Sequence, residues 1–561
     1  MGQVARSRPQ ASEGQENRSQ EALFGHPVGL YTLFFAEMWE RFSYYGMRAL
    51  LVFYMLKGFL GMNDGRAYSV YGAYTALVYA TPFVGGMLAD RLLGARRAVV
   101  WGGLLMAAGH AMMTVERAWA FYAALALLIC GNGFFKPNIS TIVAELYPPG
   151  DARRDGGFTL FYMGINLGAA LSPLVCGYIG ETYGWHYGFG LATLGMLTGV
   201  AVFVAPVRVT QVLIAAGALA TSASLLFLQN NAYQLAVNAF VALSLAAAAA
   251  IAATALGRGG LPADVGRPPA SASGRTAAPV AAGVAVALPL VALCVQRSGV
   301  AGAVLALFGG AALAFLLFEA LRAERVERDR LFVALVLMFF SMLFWAFFEQ
   351  AGSSINNFTD RNVDRALGAG ALIPASTFQA ANPIFILLFG LAFAALWSWL
   401  AGRRAEPSTP VKFALGLLQL GLGFGALWIG AQTADARGMV GVGWLLLGYL
   451  LHTTGELCVS PVGLSMVTRL SPARIVSTVM GGWFMATAFS QYLAGLIAQL
   501  TGVHSEDGAA QVVPEPNATV HLYGDVFGQI AVGAVVAALI CFTLSPLLVR
   551  WMHAEAQESV R

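Results

Sequence analysis

The chain has 561 residues, 58% of them hydrophobic and 11% charged, with a formal net charge of +4. Soluble globular proteins carry about 25% charged residues, so this composition excludes a water-soluble domain and reads as an all-α polytopic membrane protein. The small net charge gives no footing for a nucleic-acid partner.

In chain order, residues 1–26 are polar, carry Arg6, Arg8 and Arg18 and lack an apolar run, so no cleavable signal peptide is expected and the amino terminus is read as cytoplasmic. Apolar segments follow near 28–57, 67–89, 98–115, 119–146, 157–179 and 187–205. Four more lie near 209–229, 233–256, 279–297 and 300–321, interrupted by a Gly/Pro/Arg-rich stretch from Gly257 to Pro279 that reads as a mobile loop. The last six are near 331–357, 373–400, 411–431, 439–468, 475–501 and 524–551. This predicts 14 to 16 spans, divided into a polar cytoplasmic N-terminus (1–26), an N-terminal six-helix bundle (27–206), inserted helices with a linker (207–330), a C-terminal six-helix bundle (331–551) and a cytoplasmic tail (552–561). Arginines gather in alternate loops, including Arg153 and Arg154, Arg258, Arg267 and Arg275, Arg322 to Arg330, Arg403 and Arg404, and Arg469 and Arg474. That asymmetry follows the positive-inside pattern with both termini cytoplasmic, as in a bacterial inner membrane.

Charges inside the apolar segments carry the functional reading. In the first, Glu37, Glu40, Arg41, Tyr44, Tyr45 and Arg48 share one helical face. A charge at a bilayer-spanning helix centre costs roughly 2.5–3.5 kcal/mol on insertion scales, so this face needs partners, water or a substrate. Counting only the twelve core segments, further charges fall in the fourth (Lys136), seventh (Glu349) and tenth (Glu456). Equivalent helices of inverted repeats surround a site at the midplane in such transporters. Glu349, with Glu37 and Glu40, is the candidate proton-coupling acid, and Arg48 with Glu349 a candidate gate pair. The four inserted segments, Ala-rich and without buried charge, are expected to pack outside the core and to offer no polar site. The five cysteines, Cys130, Cys176, Cys294, Cys458 and Cys541, lack C-x-x-C spacing and read as buried hydrophobes. His110 and His452 read as hydrogen-bonded core histidines, and the Asn517-Ala-Thr519 sequon falls in an expected outer loop, 502–523.

Several motifs carry a family resemblance. Glu37-x-x-Glu40-Arg41-Phe42-x-Tyr44-Tyr45-Gly46, Gly133-Phe-Phe-Lys136-Pro137-Asn138, Phe161-Tyr162-Met-Gly-Ile165-Asn166, Phe344-Trp345-x-x-x-Glu349-Gln350 and Gly455-Glu456-Leu-Cys-Val-Ser460-Pro461 resemble the proton-dependent oligopeptide transporter family of the major facilitator superfamily. Asp90, Arg91, Arg96 and Arg97 are similar to the superfamily's conformational loop signature between its second and third helices. The resemblance implies the major facilitator fold, two six-helix halves with extra helices between them. It also implies that Arg41, Lys136, Tyr45 and Tyr79 surround the carboxylate end of a bound peptide, and that Glu456, with Asn382 and Asn166, receives its amino end. Trp345 and Trp483 would be apolar walls. Bacterial members usually carry two extra helices between the halves, so a four-segment insert departs from the pattern.

No nucleotide-binding loop, metal-ligand cluster or catalytic triad is legible, so the chain reads as a secondary transporter and not an enzyme. The expectation is a proton-coupled symporter of di- and tripeptides, driven by the proton gradient without cofactors and working as a monomer in the lipid bilayer. The alternatives are a transporter of nitrate or another small anion, or a non-transporting nutrient receptor in the same fold.

Overall fold

The computed structural model describes residues 22–553 apart from 149, 152, 228–230, 268–276, 369, 473 and 504–514. Most of the polar amino terminus, the tail from 554, and Arg275 lie outside the described residues.

Among the described residues, sixteen long helices follow one another. The first six are α1 (Gly29–Lys57), α2 (Asp64–Leu88), α3 (Ala95–Met112), α4 (Ala118–Glu145), α5 (Arg154–Ser172, continued to Tyr183) and α6 (Trp185–Val204). The insert supplies α7 (Val207–Phe227), α8 (Ala232–Leu256), α9 (Ala277–Gln296) and α10 (Ser298–Arg322). The last six are α11 (Arg325–Phe348), α12 (Ala381–Gly402), α13 (Thr409–Gln432), α14 (Val442–Leu470), α15 (Val476–Gln499) and α16 (Pro516–Trp551). The helices alternate in direction, so α1 starts and α16 finishes at one end of the molecule, here the near end.

Local chemistry sets several boundaries. The Asn63 side chain caps α2 by accepting from the Arg66 amide at 2.8 Å, and Asn231 caps α8 in the same way. Gly94, at φ +77°, turns the chain between α2 and α3, where a side chain would be strained. Pro173 lacks an amide hydrogen, and α5 widens into a π turn from Pro173 to Gly177 before resuming. The expected outer loop 502–523 is shorter than its sequence suggests, because α16 starts at Pro516; Asn517 sits in its first turn with Nδ2 donating to the Ala436 carbonyl at 3.0 Å.

The two largest apolar cores lie one in each half. One joins residues of α1 to α6, among them Tyr54, Tyr74, Phe121, Phe135 and Phe189, and the other joins α11 to α16 through Phe344, Phe358, Phe413, Phe424 and Phe527. The halves meet along α2 with α15 and along α5 with α12. At the first seam the backbones nearly touch: a Cβ on Gly72 would stand 2.9 Å from the Gly495 Cα. Gly72→Val should therefore destabilise this packing by about 1–3 kcal/mol, the usual overpacking cost. The readout is a lowered thermal midpoint of the purified protein in detergent, and an unchanged midpoint would show that the seam yields freely.

The insert departs from expectation in two respects. The α7–α8 hairpin packs on α1 and α6 through Ile214, Ala218, Leu245 and Ala252, but it also buries Thr210, Thr221, Asn231, Gln234 and Asn238. Asn238 Nδ2 donates to the Leu225 carbonyl at 2.9 Å, and Asn231 Nδ2 reaches the Leu367 and Ala371 carbonyls of the other half. These amides satisfy backbone groups where the chain turns, a need that helix composition does not announce. The stretch read as a mobile loop is docked over its described part, 257–267. Gly266 N donates to Glu145 Oε2 at 2.7 Å, the Gly266 carbonyl accepts from Arg96 N at 3.0 Å, and Pro262 abuts Gly29.

Candidate functional site

The charged face of α1 is buried along its length, with Glu37, Glu40, Arg41 and Arg48 all under a tenth exposed. Arg41 Nε donates to Glu37 Oε1 at 2.7 Å and lies 2.8 Å from Glu40 Oε2. One guanidinium thus offsets two carboxylates, and Asn132 Nδ2 supports Glu40 Oε1 at 3.4 Å. Two turns further on, Arg48 leaves this cluster and crosses to the other half.

It meets Glu349 there, through Arg48 Nη2 and Glu349 Oε2. The meeting depends on a break in α11. The α-helix stops at Phe348, a 3₁₀ turn spans Glu349–Gly352, and helix resumes from Ser354 to Asn362. A Cβ on Gly352 would stand 2.0 Å from the Tyr71 hydroxyl. With glycine there, Tyr71 fits and accepts from Arg48 Nε at 2.6 Å. Removing one partner of such a buried pair typically costs about 3–5 kcal/mol, because the other charge is left buried and unpaired.

Two further charge pairs join the halves beyond it. Arg361 grips Asp64 with both terminal nitrogens, at 2.7 and 2.8 Å, and Lys57 pairs with Asp360. On the other seam Glu181 Oε1 accepts from the Ser376 amide at 2.8 Å. Among the described residues, the ion pairs between the halves all lie towards the end opposite the chain termini, the far end. The conformation is closed there.

Below the Arg48–Glu349 pair lies a cavity of about 150 Å³ between the halves. Of the residues singled out from sequence, Tyr45, Tyr79, Asn166, Trp345, Asn382 and Glu456 line it together with that pair. Glu456 accepts from Asn382 Nδ2 at 2.9 Å and from the Tyr162 hydroxyl at 3.4 Å. Both donors are neutral, so among the described residues this carboxylate faces the cavity without a counter-ion. Asn382 also donates to Thr453 Oγ1 at 3.0 Å, which fixes its amide. On the opposite side Lys136 places its ammonium 4.3 Å from the centre of the Tyr79 ring, and no carboxylate pairs with it among the described residues. A cation over an aromatic face gains about 0.5–2 kcal/mol, less than a charge-assisted bond to an anion would give.

The other candidates sit elsewhere. Arg41 and Lys136 stand behind the wall formed by Tyr45 and Tyr79, with Glu37 and Glu40. Trp483 does not line the cavity; its ring packs against Gly463 on α14, where a Cβ would lie 2.6 Å away. Its place on α15 turns it towards α14 and the C-terminal core. Of the loop residues, Arg96 donates to the Leu261 and Pro262 carbonyls of the docked linker, while Asp90, Arg91 and Arg97 are at the near end with exposed or half-exposed surroundings.

Sequence reasoning also passed over wall residues. Tyr162, Phe348, Gln379 and Tyr449 line the cavity. Tyr162 was legible, since it stands one helical turn before Asn166 on the same face. Gln379 was not, because it belongs to the short turn entering α12. His452 lines the wall and packs on Phe424 with ring centres 4.6 Å apart. His110 corrects the reading of a hydrogen-bonded core histidine: it is fully buried, and neither ring nitrogen meets a hydrogen-bond partner among the described residues.

Comparison with known proteins adds a further line. The model of the POT family matches residues 96–251 and 312–513. The uncharacterized transporter YclF of Bacillus subtilis is 34% identical over 538 residues, 95% of this chain and 96% of that protein. The peptide transporter YePEPT of Yersinia enterocolitica is 35% identical over 492 residues, covering 85% and 88% of the two chains. A crystal structure of a peptide transporter POT in complex with sulfate superposes with a TM-score of 0.72 at 34% identity, covering 97% of this chain and 100% of that one.

Proposed function

The chain belongs to the POT family, a family of membrane transporters, and from that premise we propose that it is a proton-coupled symporter importing di- and tripeptides. The observation that carries the reading is the cavity's charge layout. Among the described residues Glu456 faces the cavity without a counter-ion on one side, while on the other the Lys136 ammonium lies behind the Tyr79 ring, outside the wall, and pairs with no carboxylate. A free peptide is a zwitterion whose ammonium and carboxylate suit those two ends, each gaining a charge-assisted hydrogen bond. Tyr45 and Tyr79 would line the carboxylate side, Asn382 and Asn166 would stand with Glu456 at the amino end, and Trp345 would border a side-chain pocket. Glu37 and Glu40 form a reserve of acidity around Arg41. Relatives and neighbouring structures named as peptide transporters support the substrate class.

The distribution of loop arginines supports a cytoplasmic near end, and on that reading the far-end-closed conformation faces inward, in the membrane of a bacterial cell. Transport would proceed by exchange between this state and one open at the far end, with the Arg48–Glu349, Asp64–Arg361 and Lys57–Asp360 pairs broken and remade. One chain encloses the whole cavity, which fits a working monomer without a cofactor. Labelled dialanine uptake into proteoliposomes tests the reading: accumulation is expected with an inward proton gradient, and equilibration alone without it. Uptake that is indifferent to the gradient, or inhibited by nitrate and not by other dipeptides, would overturn it.

A further inference from the structure

The helices α9 and α10 form a hairpin whose legs barely touch each other, because each is docked on a different half. The near-end part of α9 is seated on the N-terminal half, with Val280 buried among Ala89, Leu93, Ala98 and Phe134. Its far-end part continues there through Val291, Cys294 and Val295, and Arg66 Nη2 holds the Gln296 carbonyl at 2.6 Å. The chain reverses at Arg297 alone. Helix α10 then starts on the same half with Ala301 and crosses the seam at Leu305, which is enclosed between Ala76 of α2 and Ala488 of α15. It runs down the C-terminal half, where Leu316 and Ala320 join the core and Glu319 pairs with Arg474.

We infer that this hairpin is a one-sided staple across the α2–α15 seam, holding the far ends of the halves together while leaving their near ends free to part. The reason is connectivity. At the far end the anchor on one half, Gln296, and the anchor on the other, Gly302 beneath the Tyr492 hydroxyl, are separated by only the turn at Arg297 and about 6 Å of helix from Ser298 to Gly302, at 1.5 Å per residue. A Cβ on Gly302 would stand 2.3 Å from that hydroxyl, so the contact is as close as a side-chain-free residue allows. Parting the far ends must either melt the start of α10 or pull Leu305 out of the seam. At the near end Val280 and Glu319 belong to legs with no direct link, and their separation strains nothing in the hairpin. The staple therefore weights the conformational balance towards the state closed at the far end. Its relevance to alternating access rests on the transport reading above, but the geometry and its test do not.

The test replaces Arg297 with a flexible Gly/Ser segment of about ten residues, long enough to free the two legs. Far-end separation is read by electron–electron double resonance between spin labels on Phe59 and Leu372 positions, exposed on opposite halves, in a chain whose cysteines are replaced. Freed from the staple, the long-distance population is expected to rise about threefold or more over the parent. Arg66→Ala, which keeps the turn but releases Gln296, should move the distribution the same way by a smaller step. An unchanged distribution in the linker variant, eluting as a monodisperse species, overturns the staple. If that variant does not fold, an unchanged distribution in Arg66→Ala overturns it alone. A parent that fails to bind or accumulate dialanine would refute the peptide reading and leave the distance result standing.

Discussion

Glu349→Gln is expected to abolish gradient-driven accumulation of dialanine while peptide counterflow persists. The Glu349 carboxylate pairs with Arg48 from the opposite half, in a buried setting, and that pair closes the far side of the cavity. In the proposed cycle the Arg48–Glu349 pair is what proton arrival would release and proton departure restore. Glutamine mimics the neutral state permanently. Arg48 keeps the Tyr71 hydroxyl and lies over the Tyr45 ring, with its guanidinium carbon 5.8 Å from the ring centre, so the variant retains partial support for the cation. One proton carried with a neutral zwitterion gains roughly 2.3 kcal/mol per 100 mV, about fiftyfold in concentration. The variant should lose that whole factor and still exchange labelled for unlabelled peptide, because exchange needs no net proton movement. Continued accumulation under an imposed proton gradient would move coupling to Glu37 or Glu40.

The second large effect belongs to Glu456. Glu456→Gln should weaken binding of dialanine by about 1.5–3 kcal/mol, the range for hydrogen bonds to charged groups, or roughly tenfold to more than a hundredfold in Kd. The amide can still accept from Asn382, so the local network survives and the loss is that of the charge. Acetyl-dialanine, which lacks the ammonium, should bind the parent weakly and lose little more in the variant. Isothermal titration of both peptides against both proteins separates the cases. Equal losses for the free and acetylated peptides would show that Glu456 does not read the amino end.

Much of this architecture is legible in the sequence because the membrane imposes a strong rule. Each span must satisfy its own backbone, so long apolar runs become helices, and the division into six, four and six follows from run lengths and loop arginines. The charged face of α1 was equally plain, since four ionisable groups at membrane depth have few structural uses. Position along a helix does not give the direction in which a side chain is screened, which is why Arg41 and Lys136 stand behind tyrosines and Trp483 faces α14. The break at Glu349–Gly352 was hidden for a related reason. Nothing in Phe-Glu-Gln-Ala-Gly announces a 3₁₀ turn, and the Tyr71 hydroxyl that packs against Gly352 belongs to another helix. The insert was the least legible part. Its apolar runs announce helices, but the amides that tie α8 to the other half, and the splaying of α9 from α10, are decided by surfaces made elsewhere in the chain.

The separated seats of α9 and α10 also bear on how the molecule is assembled during synthesis. The groove that α9 covers, on α2 and α4, exists as soon as the first six helices have entered the bilayer, yet its cover is translated only after α7, α8 and the linker. Until then lipid must line it. The seat of α10 is later still, because Ala488 and Gly482 arrive with the penultimate helix. The ribosome thus delivers one leg after its partner surface and the other leg before, so the nascent N-terminal half can mature early while the hairpin waits, half-docked, for the C-terminal half to be laid against it.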